Sequence, residues 1–315
     1  MTKYRSNLPQ LGETVFLSDG GLETTMIFHE GIELPHFASF ELLKNTRGRK
    51  ALRVYFLRYV GIARKRKMGF ILDTPTWRAS ADWGAKFNLT ATELDRINRE
   101  SVGFLVDFRA EMETSSSPMV INGVVGPRGD GYDPGLIMER EEAATYHRAQ
   151  IASFAATEAD MVSAITMTNV NEAIGIALAA RAEGMPVAVS FTVETNGALP
   201  TGQTLRKAIE ETDAATGGFP AYYMVNCAHP SHFSDKLAAG AAWMQRVRGI
   251  RANASRQSHA ELNEAPELDP GNPTELGLEY GAIRTLHPHI NVVGGCCGTD
   301  HRHIERISAA MKQVA

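Results

Sequence analysis

The sequence predicts a closed (β/α)8 barrel that takes up the whole chain, residues 1–315, as a single domain. Short apolar runs rich in β-branched residues recur about every thirty to forty residues, and most are separated by stretches with helical periodicity. Alternating strands and helices imply parallel strands joined by right-handed crossovers. Barrels of this kind commonly use about 250 residues or more. An open doubly wound sheet with the same element order is the competing architecture.

Eight segments have the composition of buried strands and are bounded by Gly, Pro, Asp or Asn. In chain order they are Thr14–Ser18, Phe70–Asp73, Met119–Val125, Met161–Ile165, Pro186–Phe191, Tyr222–Asn226, Gly249–Ala252 and Ile290–Val293. The predicted helices are Lys50–Lys67, Ala91–Glu113, Arg140–Glu158, Asn171–Glu183, Thr204–Thr216, Ser231–Ala242, Thr274–Leu286 and His301–Val314. Several helices end at a glycine with a proline beyond it, as at Gly184 and Pro186.

Composition and charge exclude several classes of function. The chain carries 32 basic and 36 acidic residues, a formal net charge of -4, which predicts neither a nucleic-acid interface nor attraction to an anionic membrane. Residues 1–9 are polar, and no stretch reaches the roughly 18 apolar residues of a membrane span. We therefore expect a soluble, cytoplasmic protein, and a homo-oligomer is compatible with the sequence.

The three cysteines are the main candidates for chemistry. Cys227 directly follows the sixth predicted strand, and Cys296 and Cys297 follow the eighth within a glycine-rich turn. Three cysteines in a cytosolic chain argue against a disulfide framework. Because all three come at strand ends, the sequence predicts one metal site, and a thiolate-rich set of ligands selects zinc.

The fourth position of that zinc is open to two interpretations. An exchangeable position would make the site catalytic, whereas His229, His301 or His303 could close it as a structural site. At an open site, a substrate thiol would lose its proton to become a nucleophile. Transfer of a methyl group from a sulfonium or quaternary ammonium donor to that thiolate is the expected reaction, with no catalytic residue beyond the zinc-activated thiol.

Motifs along nearly the whole chain resemble the homocysteine S-methyltransferase family. They comprise Asp19-Gly20-Gly21, Asp73-Thr74-Pro75-Thr76-Trp77, Gly123-Val124-Val125-Gly126-Pro127, Ser190-Phe191-Thr192, Val225-Asn226-Cys227 and Gly294-Gly295-Cys296-Cys297-Gly298-Thr299. The resemblance implies a (β/α)8 barrel with Zn2+ held by the three cysteines and the substrate thiol as fourth ligand. It also implies that Asp19, Gly20 and Gly21 help to hold an amino acid substrate, with Thr166 and Asn226 as further substrate-binding candidates.

The fourth strand departs from the family pattern. Ile165 stands where the family usually has a glutamate that binds the amino group of homocysteine, and an apolar side chain cannot pair with an ammonium. Either another carboxylate takes over, with Asp73, Glu172 and Glu194 as candidates, or the acceptor is a different thiol or selenol. Asp73 is itself a departure, because the family usually has asparagine there.

Aromatic residues are the candidates for contact with the methyl donor. Trp77 occupies a family position often held by an aromatic residue near the reacting methyl group, and an indole face attracts methylated cations. Phe28, Tyr132 and Phe191 lie on predicted strand-end loops and could share this role, or they could simply pack. The irregular segment Asn253–Pro273 follows the seventh strand and is predicted to be a lid or an oligomer contact.

We therefore predict a zinc-dependent S-methyltransferase that acts on a small-molecule thiol, most simply homocysteine giving methionine. S-methylmethionine, S-adenosylmethionine and betaine are the candidate donors, and a methylcorrinoid protein acting in trans is the open alternative. Two interpretations of another class remain: a zinc-binding protein without catalysis, and a thiol redox sensor that uses Cys296 and Cys297.

Overall fold

The computed structural model describes residues 2–238, 240–265 and 267–313. In these ranges, eight parallel strands close into a barrel in the order of the sequence. They are β1 Phe16–Leu17, β2 Gly69–Asp73, β3 Met119–Val125, β4 Met161–Met167, β5 Val187–Phe191, β6 Tyr222–Asn226, β7 Val247–Ala252 and β8 Val292–Gly295. Pairing of Phe16 with Val292 joins the first strand to the last, so the predicted barrel is confirmed and the open sheet is wrong.

Helices surround the barrel and connect successive strands. The α-helices are α1 Leu22–Thr24, α2 Thr46–Arg66, α3 Ala81–Ala85, α4 Ala91–Met112, α5 Arg140–Ala155, α6 Val170–Ala182, α7 Leu205–Thr216, α8 Pro230–Phe233, α9 His259–Glu264, α10 Pro273–Leu286 and α11 His301–Gln313. A π-helical turn, Thr25–His29, continues α1, and 3-10 turns form at Pro9–Leu11, Pro35–Phe37, Ser39–Lys44, Ser234–Lys236 and Ala242–Arg246. Within the described residues, no helix is long and apolar enough to cross a membrane.

The predicted helix Ser231–Ala242 is wrong in length. Only α8 is α-helical there, and it is followed by two 3-10 turns. Leu237 has an extended backbone after the first turn, and Gly240 adopts a positive φ of 77°, so a regular helix cannot continue through this stretch. Two other predicted positions, Ala239 in this segment and Val314 at the end of the last helix, lie outside the described residues.

Strand parity places one set of side chains inside the barrel. Ile71, Val124 and Ile165 belong to a buried cluster separate from the larger core between strands and helices. Because side chains alternate along a strand, Asp73 points to the same side as Ile71. Asn122 is the register partner of Asp73 on the adjoining strand. Polar side chains thus enter the barrel interior where its strands end, which is where (β/α)8 enzymes place their active sites.

Candidate active site

A cavity of about 350 Å³ opens at the carboxyl ends of the strands. The sequence-predicted site residues all line it: Asp19, Gly20, Gly21, Asp73, Trp77, Thr166, Asn226, Cys227, Cys296 and Cys297. Seven described residues of segment 253–273 form part of its wall, including Leu262 and Asp269. The segment contains α9 and therefore is not wholly irregular; its Pro266 lies outside the described residues. The segment thus lies on the active-site side of the barrel, as the sequence predicts.

The three cysteine sulfurs converge in this cavity. Their Sγ atoms all lie within 4.8 Å of one another, and we call Cys227, Cys296 and Cys297 the sulfur cluster. The closed barrel explains the approach, because β6 and β8 flank β7 on either side. Backbone hydrogen bonds tie the residues that follow β6 and β8 to β7. The Cys227 amide donates to Arg251 O (3.0 Å), and the Cys296 amide donates to Ala252 O (2.8 Å).

The expectation that the cysteines form no disulfide is wrong for one pair. Cys227 and Cys296 are joined by a disulfide, and Cys297 has a free thiol. The Cα atoms of the bonded pair lie 5.3 Å apart, a usual separation for a disulfide, although 69 residues separate them in sequence. The pairing also corrects the proposed redox pair Cys296 and Cys297. The same sulfurs can therefore form a disulfide or, when reduced, serve as metal ligands.

The histidines considered as a fourth ligand are held elsewhere. His229 caps α8, with Nδ1 2.8 Å from Ser231 Oγ and Nε2 3.4 Å from Glu279 Oε2. His303 is buried between Asp300 and the Pro270 carbonyl. His301 is exposed at the start of α11. Among the described residues, the group of potential metal ligands at this cavity consists of the three cysteines.

Tight backbone packing supports the sulfur cluster. Cys227 has a positive φ of 53°, and Thr166 on β4 has one of 66°, which is unusual for residues with a side chain. Asn226 binds the second of them, since its Oδ1 accepts from the Thr166 amide (3.0 Å) and its Nδ2 donates to Thr166 Oγ1 (2.8 Å). A Cβ atom on Gly21 would lie 2.7 Å from the Cys296 carbonyl oxygen, so this position requires glycine.

An ion-pair network that the sequence did not predict crosses the cavity floor. Arg251, on β7, donates through its terminal nitrogens to Asp19 Oδ1 (2.6 Å) and to Asp73 Oδ2. Asn122 donates to the second oxygen of Asp73 (2.6 Å), and the Tyr55 hydroxyl lies 3.1 Å from the second oxygen of Asp19. Burial raises the pKa of Asp19 to about 7 against the opposing charge of the guanidinium. Both carboxylates thus already have partners.

The other two carboxylates considered as replacements for the family glutamate do not line the cavity. Glu172 is buried at the start of α6 and accepts from the Arg128 amide (2.7 Å), with His147 Nε2 2.8 Å away. Glu194 Oε1 lies 3.2 Å from His259 Nδ1. Ile165, by contrast, does line the cavity and is 8% exposed. The ammonium-binding role of these carboxylates is therefore not supported by their positions.

Trp77 lies in the cavity wall beside Ile165. Its Nε1 donates to the Ile165 carbonyl (3.1 Å), which fixes the indole in place. The Arg78 guanidinium lies 4.0 Å from the Trp77 ring centroid. Of the other aromatic candidates, Phe28 and Tyr132 line the cavity, whereas Phe191 is fully buried in the core between strands and helices. The suggested role of Phe191 near the donor is therefore wrong.

Tyr132 and His259 contact the sulfur cluster from outside. The Tyr132 hydroxyl donates to Cys297 Sγ (3.4 Å), and its ring stacks on that of His259 with centroids 4.0 Å apart. His259 Nε2 lies 2.6 Å from the Cys227 carbonyl oxygen. Both cysteines are thus held through the same stacked pair. Such outer contacts orient metal ligands and tune their basicity.

Tyr132→Phe should weaken metal binding by about 10-fold or more, because it removes the hydrogen bond to Cys297 while the stacked ring stays. Competition with a chromophoric chelator measures the affinity. Tyr146→Phe is the matched control, since Tyr146 loses contacts to Ser80 and Asp82 that are remote from the sulfur cluster. Equal metal affinity in wild type and Tyr132→Phe would remove Tyr132 from this role.

Comparison with known proteins agrees with this arrangement. A profile of the family described as Homocysteine S-methyltransferase matches residues 16–311. The homocysteine methyltransferase MmuM from Escherichia coli is similar in structure. Its oxidized form has a TM-score of 0.71 at 19% identity, covering 96% of this chain and 97% of that one. Its metallated form has a TM-score of 0.69 at 18% identity, covering 95% and 96%. None of the curated protein sequences matches significantly.

The closed barrel with a thiol cluster at the carboxyl ends of its strands defines the class, a (β/α)8 enzyme with its active site in the strand-end cavity. The family profile covers most of the chain and identifies which family of these barrel enzymes it belongs to. The chain belongs to the homocysteine S-methyltransferase family, and it is an S-methyltransferase.

Proposed function

We propose that the protein transfers a methyl group from a cationic donor to the thiol of homocysteine, giving methionine, at a zinc ion held by Cys227, Cys296 and Cys297. The observation that carries the proposal is the convergence of the three Sγ atoms in the strand-end cavity. S-methylmethionine, S-adenosylmethionine and betaine are the donor candidates, because each carries a methyl group on a positively charged atom.

The residues present fit zinc. Two sulfur ligands of a tetrahedral zinc lie about 3.8 Å apart, from a Zn–S bond of roughly 2.3 Å. This separation is compatible with the 4.8 Å limit that encloses the three Sγ atoms. Three thiolates leave one position for an exchangeable ligand, which is the arrangement of catalytic zinc sites. The Cys227–Cys296 disulfide must be reduced before these residues can bind the metal.

When bound, zinc would supply the positive charge that favours the thiolate form of the acceptor. The chain's own residues hold and orient the reactants. Arg251 bridges Asp19 and Asp73 and so sets the positions of both carboxyl groups at the cavity floor. The indole of Trp77 is anchored at the wall beside Ile165.

The charge of the cavity supports a cationic donor. Six carboxyl groups of the described residues line it against two guanidinium groups, those of Arg78 and Arg251. Asp19, with a pKa raised to about 7, is only partly ionised at neutral pH, but the other five acids still outnumber the two cations. The acids are Asp19, Glu23, Asp73, Asp130, Glu267 and Asp269. An excess of negative charge in a concave, partly desolvated site attracts cations and opposes anionic substrates. Transfer of the methyl group from a sulfonium donor leaves a neutral sulfide, which this cavity would retain less strongly.

Trp77→Ala should raise the KM for the donor about 5- to 30-fold, because a cation on an indole face contributes roughly 1–2 kcal/mol when desolvated. The KM for the thiol should change much less. Initial rates at varied donor and fixed thiol, and the reverse, separate the two constants. A larger effect on the thiol than on the donor would show that Trp77 does not contact the donor.

A panel assay tests the proposed function directly. Reduced, zinc-loaded protein is incubated with homocysteine, other thiols and a selenol, each paired with a methyl-labelled donor, and products are identified by mass spectrometry. Labelled methionine is the expected product. Methylation of another thiol or selenol but not of homocysteine would favour the second candidate, which Ile165 at the family's glutamate position supports. If none of the acceptors yields a labelled product, the proposal is refuted.

A further inference from the structure

Within the proposed function, the amino group of the acceptor still needs an anionic partner. An ammonium group removed from water without one is strongly disfavoured. Ile165 cannot supply it, and the oxygens of Asp73 are bound by Arg251 and Asn122. Glu172 and Glu194 do not line the cavity.

Glu23 is a cavity-lining carboxylate that sequence reasoning did not select. It lies on α1, two residues after Gly21, whose backbone packs directly against Cys296. Glu23 and the sulfur cluster thus line the same cavity. An amino acid thiol bound through its sulfur would place its ammonium group only a few bonds away from the sulfur cluster, within this cavity.

The carboxylate of Glu23 is held by uncharged donors and has no cationic partner in direct contact. Ser39 donates to Oε1 (2.7 Å), which holds the half-buried side chain in place. Among the described residues, Glu23 forms no ion pair within 4.0 Å, and its other hydrogen bond comes from its own backbone amide. Arg251 and Arg78 act on it only as more distant charges. This contrasts with Asp19, whose two oxygens both have partners.

We propose that Glu23 binds the ammonium group of the acceptor and so gives the enzyme its preference for an amino acid thiol. The family's usual position for such a carboxylate is occupied by Ile165 on β4, whereas Glu23 lies on α1. The two positions serve one cavity, since Glu23 and Ile165 both line it. Glu23 is thus a specificity-determining residue that this chain uses in place of the usual glutamate.

The test compares L-homocysteine with 4-mercaptobutanoate, which has the same thiol and carboxylate but no ammonium. We expect wild type to prefer homocysteine in kcat/KM by about 30-fold or more, the usual scale for losing one partner of a desolvated charge pair. Glu23→Gln should bring this ratio to within about 3-fold of unity, mainly through the KM for homocysteine. An unchanged rate with 4-mercaptobutanoate shows that the variant is folded and contains zinc.

Two further variants sharpen the comparison. Glu264→Gln removes the same charge from α9, at a position that does not line the cavity, and should leave the ratio unchanged. Ile165→Glu in the Glu23→Gln background should restore the preference for homocysteine. An unchanged ratio in Glu23→Gln, or a change confined to the KM for the donor, would overturn the role of Glu23 while leaving thiol methylation intact.

Binding measurements keep the two proposals separate. Calorimetric titration of the zinc-loaded protein with the same two thiols reads the preference without turnover. If neither thiol is methylated but homocysteine binds more tightly, and only when Glu23 is present, the proposed function fails and Glu23 keeps its role. If wild type binds both thiols equally, Glu23 has no such role.

Discussion

Replacing Cys297 by alanine should abolish stoichiometric zinc binding and lower the rate of thiol methylation by at least about 1,000-fold. Cys297 is the one cysteine outside the disulfide. A loss of zinc or activity in Cys297→Ala therefore cannot result from a missing disulfide. Two remaining thiolates cannot complete a tris-thiolate site, and the acceptor thiol would keep its proton at neutral pH. Zinc content by elemental analysis and product formation by mass spectrometry measure the two effects.

Matched conditions make this experiment decisive. All proteins start fully reduced, because the disulfide would otherwise prevent zinc uptake by wild type as well. Ser116→Ala, at the exposed turn before β3, is a control of similar size that lies at the opposite end of the barrel. Full zinc occupancy and turnover in Cys297→Ala would contradict the assignment of Cys297 as a ligand.

Arg251→Met should destabilise the protein by about 3–5 kcal/mol, the range measured when one partner of a buried ion pair is removed. The Arg251 side chain is 12% exposed and bridges Asp19 and Asp73, whose side chains are 4% and 8% exposed. Without the guanidinium, two carboxylates would face each other in the barrel interior with no cation between them. Urea unfolding of the metal-free, reduced protein gives the free energy of unfolding.

A second substitution separates charge from packing in this result. Asp73→Asn in the Arg251→Met background removes one of the two uncompensated carboxylates and should recover a substantial part of the loss. Arg206→Met, which breaks the exposed pair with Glu210, should change stability by less than about 0.5 kcal/mol. Equal effects of Arg251→Met and Arg206→Met would show that the buried network does not stabilise the fold.

The sequence predicted most of the barrel because its strands are short, apolar and evenly spaced. β3 and β6 match their predicted bounds at both ends. The predicted element bounds are wrong where the strand or helix propensity of a segment is overridden by its local backbone geometry. β1 shortens to two residues, and the predicted helix after β6 breaks into α8 and 3-10 turns. Short helices such as α3 and α9 were missed because five or six residues carry no detectable periodicity.

The sulfur cluster could be predicted because strand ends meet at one edge of a parallel barrel. The side chains that surround the sulfur cluster could not be predicted. Their positions depend on strand register and on which side chains point into the barrel. Arg251 carried a signal, because a charged residue inside a buried strand requires a partner. Glu23 carried none, as a single glutamate after a Gly-Gly turn is common at a helix start. The disulfide was missed because pairing of Cys227 with Cys296 is visible only in three dimensions.

X-ray absorption at the zinc edge tests the central claim most directly, because it counts the ligands of the metal with and without the acceptor. The reduced, zinc-loaded protein should show three sulfurs and one nitrogen or oxygen at about 2.0–2.3 Å, and four sulfurs once homocysteine is added. A first coordination shell that already contains a histidine nitrogen and does not change with homocysteine would contradict the account.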